Sequence, residues 1–77
     1  MSLTRAELGE RLKTELERTS DVSKISDWAH CLYLDHHEFG SGVYEALMEL
    51  IAMQEGPEFE MAPHELRDLA QRLMSET

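Results

Sequence analysis

Two adjacent histidines stand among carboxylates in "LDHHEFGSG", residues 34–42, with Cys31 just upstream and a Gly-Ser-Gly run behind. These residue types can bind metal ions or move protons. A helix presents metal ligands at i and i+3 or i+4. His30 has Tyr33 and Leu34 at those offsets, which do not suit, and His37 lies roughly 10 Å further along the axis. His36 and His37 diverge by about 100° if helical, so adjacency alone makes no chelate. Asp35, His36, Glu38 and Cys31 converge only if the chain turns sharply at Gly40. His36 and His37 are therefore the metal candidates, but the expectation is a helix end. His36 would continue the apolar face of the preceding helix, and His37 would face its last carbonyls, where an imidazolium is favoured.

Other catalytic patterns do not form. Cys31 and His30 are neighbours, whose side chains diverge on a helix, so no nucleophile–base pair arises locally. Ser41 sits between glycines without a Gly-x-Ser-x-Gly elbow, and the glycines have neither the spacing nor the lysine of a phosphate loop. The carboxylates fall on solvent faces. No enzymatic activity and no cofactor is expected.

The chain has 77 residues and a net charge of −9. That length suits a single domain over residues 1–77, near the lower limit for an unaided core. The charge is uneven: residues 1–18 balance to zero, 19–40 sum to −3, 41–62 to −5 and 63–77 to −1. An acidic field repels phosphate backbones and anionic lipid and favours a basic protein partner, so neither nucleic acid nor membrane is expected to bind. Simple solubility is the plain alternative. No apolar run approaches the roughly 20 residues that span a bilayer, and a lone cysteine makes no internal disulfide. The amino terminus lacks a signal-peptide core, so a cytoplasmic location is expected.

The elements that must position these groups read as four helices, about 5–18, 24–35, 42–55 and 63–75. "LTRAEL" is a capping box, with Thr4 as N-cap, Glu7 at N3 and Leu3–Leu8 as a staple. Leu8, Leu12 and Leu16 form a narrow stripe. Ser23 is expected to cap helix two, whose face is Ile25, Trp28, Ala29 and Leu32, with Trp28 as the core's aromatic anchor. Helix three follows Ser41 and is apolar nearly all round apart from Glu45 and Glu49, so it is either central or buried in a second interface. "PEFEM" reads as an extended connection tucking Phe59 and Met61 inward. Helix four has Pro63 at N1, Glu65 at N3 and a Leu66, Leu69, Ala70, Leu73 stripe. No stretch alternates with period two. The expected architecture is all-α, a compact antiparallel four-helix bundle.

A small acidic four-helix chain resembles acyl carrier proteins, whose Asp-Ser-Leu signature carries phosphopantetheine on the serine. In "FGSGVYEAL" Ser41 is the comparable serine, but Gly40 replaces the Asp and Gly42 the Leu. The chain also resembles the small all-helical immunity proteins of bacterial toxin systems, such as that for colicin D. The resemblance rests on size, acidity and the order of "SDWAH", "EALMELIAM" and "PHELRDLAQRL" segments over residues 23–74. It implies a stoichiometric inhibitor whose acidic face fills a basic, RNA-binding cleft. Asp35, Glu38, Glu45, Glu49, Glu55, Glu58 and Glu60 are then the contact candidates, around Tyr44 or Phe59; alternatively Tyr44 and Phe59 are simply core. Two further readings stay open. One is a homodimer through helix 42–55 with Met48 and Met53 as adaptable contacts. The other is a carrier or metal-handling protein using Ser41 or His36 and His37.

Overall fold

The computed structural model describes residues 3–19, 21–36, 38–40 and 42–75. It is an all-α four-helix bundle: α1 (Arg5–Arg18), α2 (Val22–Asp35), α3 (Val43–Ala52) and α4 (Pro63–Ser75). Short 3-10 turns at Met53–Glu55 and Pro57–Phe59 connect α3 to α4.

The helix starts follow from local hydrogen bonding. Glu7 N–H donates to Thr4 Oγ1 (3.1 Å) and Thr4 N–H donates to Glu7 Oε1 (3.2 Å), the expected capping box. Helix α2 begins at Val22 rather than Lys24, and its cap is Asp21 rather than Ser23. The Asp21 carboxylate accepts Ser23 N–H at 2.9 Å, and its negative charge suits a helix N-terminus. Gly42 precedes α3 in the left-handed region, φ 79°, with no side-chain cap. A side chain there would be strained, and its Cβ would also collide with the Arg5 guanidinium. The α-helical part of helix three spans Val43–Ala52 rather than 42–55, because its last turn tightens to a 3-10 turn before Gly56. At α4, Glu65 Oε1 accepts Ala62 N–H at 2.9 Å, so Pro63 and Glu65 serve the N-terminus as expected.

Helix α1 packs chiefly on α4, and α2 on α3. Each pair is antiparallel. Gly9 near the start of α1 meets Ala70 and Met74 late in α4, while Leu16 near its end shares a groove with Leu66. In the other pair, Ser26 Oγ donates to Ile51 O at 2.9 Å, and Tyr33 late in α2 contacts Tyr44 early in α3. A backbone tie joins the layers: Leu3 N–H donates to Glu38 O (3.1 Å) and Gly40 N–H donates to Leu3 O (2.8 Å). This leaves an isolated parallel bridge, Leu3 to Phe39, and no strand among the described residues.

The fully buried core is aliphatic, centred on Leu8, Leu12, Ile25, Leu47, Leu50 and Leu66. Trp28 is not its central anchor. It packs against the core's edge half-buried, as do Tyr33 and Phe39. On the helix wheel Trp28 stands well to one side of the Ile25–Ala29–Leu32 centre, so its side chain stays partly exposed. Ser26 is buried instead, and its hydroxyl is satisfied by the Ile51 carbonyl, as a buried polar group requires.

Two predictions follow from this packing. A Cβ on Gly9 would lie 2.7 Å from Ala70 O and 2.8 Å from Met74 Cγ. Gly9→Ala gains about 1 kcal/mol in helix propensity. The overpacking costs about 1–3 kcal/mol, and the hard contact is with backbone, which cannot step aside cheaply. A net loss of stability is expected in urea unfolding. The second concerns Glu7, whose carboxyl is held below its ordinary value of 4.5, first by Thr4 N–H and then by the Thr4 hydroxyl. A lowered folded-state pKa contributes stability above the unfolded value, which is lost as pH falls through the folded one. Wild type should therefore be more stable than Glu7→Gln at neutral pH. The gap should close in unfolding curves taken progressively below pH 4.5.

Candidate functional site

The histidine region forms a helix end. His36 caps α2: its N–H donates to Leu32 O at 3.2 Å, and its ring Nδ1 lies 3.1 Å from the same carbonyl. The residue facing the last carbonyls is thus His36, the position expected for His37. His37 and Ser41 lie outside the described residues. Among the described residues no group of three His, Cys, Asp or Glu gathers to hold a metal ion. Cys31 is exposed on the outer side of α2.

Charge is sorted by the pairing of helices. Helices α1 and α4 carry six of the seven cations and six acids, so this layer balances. Residues 21–62, which form α2, α3 and their connections, carry nine acids against Lys24 alone. Folding brings the two neutral ends of the chain together and leaves the acidic middle as the opposite layer.

Apolar groups stand exposed on the same layer. Among the described residues the large hydrophobic side chains most open to solvent are Leu34 (63 %), Tyr44 (51 %) and Phe59 (49 %). Tyr44, Met48 and Ala52 follow at i, i+4 and i+8, forming one row along the outside of α3. Glu45 and Glu49 form a parallel acidic row beside it. A groove of about 300 Å³ lined by Glu49, Ala52, Glu58, Phe59 and Met61 continues the apolar row toward Phe59. On the other side of the acidic row, a groove of about 320 Å³ brings Glu45 and Glu49 near Arg5 and Arg72. There the acidic layer ends. The Tyr44 end of the row rests on Tyr33 (centroids 6.1 Å apart), which stacks on Phe39 at 5.9 Å.

The nine expected contact residues divide into three groups. Tyr44, Glu45, Glu49, Glu58 and Phe59 share the outer face of α3 and its following turn. Asp35 and Glu38 are exposed at the Tyr44 end, and Glu55 and Glu60 at the other. Glu60 also borders a polar groove of about 570 Å³ with Asp21 and Asp27, two acids that pattern reading had not singled out. Phe59 does not tuck inward. The expected extended connection is a 3-10 turn, which lifts its ring to the surface while Met61 packs against the core. Met53, expected on an adaptable outer surface, is buried and accepts the Met61 N–H on its sulfur (3.5 Å). Leu34 was missed, although its place off the Ile25–Leu32 face was readable from the spacing.

Two further grooves, about 380 and 330 Å³, follow the α1–α4 seam and share Leu16 and Arg67. Their rims mix Lys13 and Arg67 with Glu17, Glu60 and Glu65, so no single sign of charge selects a ligand there. Comparison of the chain with family models, curated proteins and solved structures yields no match.

A stability contrast tests the assignment of this face. Phe59→Ala should cost less than about 1 kcal/mol, as an exposed substitution does. Leu50→Ala, in the buried core, should cost about 2–5 kcal/mol. Equal losses in parallel urea titrations would place Phe59 in the core.

Proposed function

We propose that this protein is a non-enzymatic binding module that docks another protein, one with a basic surface, on its α2–α3 layer. The observation that carries this reading is the coincidence on one layer of the net acidity and the half-exposed rings of Tyr44 and Phe59. Interface hot spots join aromatic anchors to a few charges, and complementary fields speed the encounter. A standard interface takes roughly 800 Å² from each partner. That is about a sixth of the chain's 5012 Å², within reach of one layer. A stoichiometric inhibitor covering a basic cleft, as the likeness to immunity proteins implies, is the specific form of this function, and the cytoplasm is its proposed place. No described helix is long and apolar enough to cross a membrane.

The apolar row on α3 also supports self-association through that helix. Charge disfavours it, because a second copy would bring Glu45, Glu49 and Glu58 against their own counterparts. The carrier and metal-handling readings rest on Ser41, His36 and His37, and among the described residues no group of three His, Cys, Asp or Glu gathers to give His36 further ligands.

Affinity capture from the source cell's lysate tests the docking function. At about 50 mM salt a single basic protein should be held stoichiometrically. It should loosen by about 500 mM, where screening shortens the reach of charge to a few ångströms. Glu45→Lys combined with Glu49→Lys should abolish capture, whereas Glu10→Lys with Glu17→Lys on α1 should not. Bait that brings down only itself, at twice its monomer mass, would replace this reading with self-association.

A further inference from the structure

We propose that the element seated on the α3 face is a basic amphipathic helix lying along α3. Its apolar residues would rest on the Tyr44–Met48–Ala52 row and in the groove at Phe59, and its cations would face Glu45, Glu49 and Glu58. The proposal rests on the docking function above and names the form of the partner.

Three observations select a helix. First, the face offers side chains only. The backbone of α3 is satisfied within the helix, and a strand partner needs an unpaired sheet edge, which the described residues do not provide beyond the Leu3–Phe39 bridge. Second, an apolar row spaced i, i+4 with an acidic row one position away is the pattern one helix shows another. Ridges of side chains at that spacing fit between those of a facing helix. The row from Tyr44 to Ala52 rises roughly 12 Å, and a helix of about 14 residues, some 21 Å long, would cover it and reach Phe59. The molecule's extents, 31 × 24 × 21 Å, accommodate that length on one face. Third, relief along the row varies. Ala52 is a low point between Met48 and Phe59, and the groove there admits one large apolar side chain from the partner.

Charge identifies the partner's polar residues as Lys and Arg. Residues 21–62 carry nine acids against one lysine, and Arg5 and Arg72 border only the far side of the Glu45–Glu49 row, so a basic helix gains more along the rim than an acidic or neutral one. A second copy of α3 is disfavoured as the occupant for the same reason, since its own flank carries glutamates.

The test uses three labelled synthetic peptides of about 14 residues and the intact protein. The first is a helix-forming sequence with Leu at i, i+4 and i+7 and Lys or Arg elsewhere. The second has the same composition scrambled so that no apolar face forms. The third keeps the leucines and replaces the cations with Glu. Fluorescence anisotropy should show the first binding at least about tenfold more tightly than the other two, with a gain of helical circular dichroism on binding. Tyr44→Ala and Phe59→Ala should each weaken it by about tenfold or more, while Gln71→Ala on α4 leaves it unchanged. Equal binding of the first two peptides would overturn the helix and leave the acidic docking face standing. Binding of none, alongside capture of a folded basic protein from lysate, would likewise overturn the helix alone. If no basic protein is captured either, the docking function fails with it.

Discussion

The close approach of α1 to α4 at Gly9 is the constraint on which the rest of the structure depends. With no Cβ at that position, the backbone of α1 comes within van der Waals reach of the Ala70 carbonyl and the Leu73 and Met74 side chains. This pairs the first and last helices. The middle of the chain must then fold as a hairpin of its own, α2 against α3, and cover the other side of a shared aliphatic core. The Leu3 backbone, paired with Glu38 and Gly40, ties the entry of the first layer to the connection of the second.

From that pairing the electrostatic shape follows. The balanced charges of α1 and α4 fall on one layer, where i,i+3 contacts such as Glu15–Arg18 (3.1 Å) lie on the surface and contribute little. The unbalanced acids fall on the other layer. A domain of this size buries only about 60 % of the surface its unfolded chain exposes. Leaving Tyr44, Phe59 and Leu34 half-exposed or more therefore gives up stabilisation that the fold could use. That apolar surface lies beside acids rather than scattered, which is the arrangement that suits a partner's apolar residues ringed by cations.

The α2–α3 layer is braced from within. The buried Ser26 hydroxyl satisfies the Ile51 carbonyl in the last turn of α3, and Asp27 accepts from Gln54 at the same end. At the opposite end the Phe39–Tyr33–Tyr44 ring cluster holds the start of α3. The outer row of α3 is thus fastened at both ends. A partner would meet a face already set, and would lose little free energy in ordering it.

Local signals in the sequence determined the helices. The Thr4–Glu7 capping box, the Leu66–Leu69–Ala70–Leu73 stripe and the Gly56-Pro57 stop act within a turn or two, so reading along the chain recovers them. The shift of the α2 cap from Ser23 to Asp21 is an error of the same short range, with two competent capping residues in one stretch. Spacing also told which residues share a face of α3, and so placed Glu45 and Glu49 together. What spacing does not tell is which neighbour covers each face. That Tyr44 and Phe59 remain half-exposed, that Met53 and Ser26 are buried, and that Trp28 stays at the core's edge were decided by the tertiary structure. So was the gathering of the acids into one layer, because it depends on contacts between residues more than fifty positions apart, and such contacts leave no periodic trace in the chain.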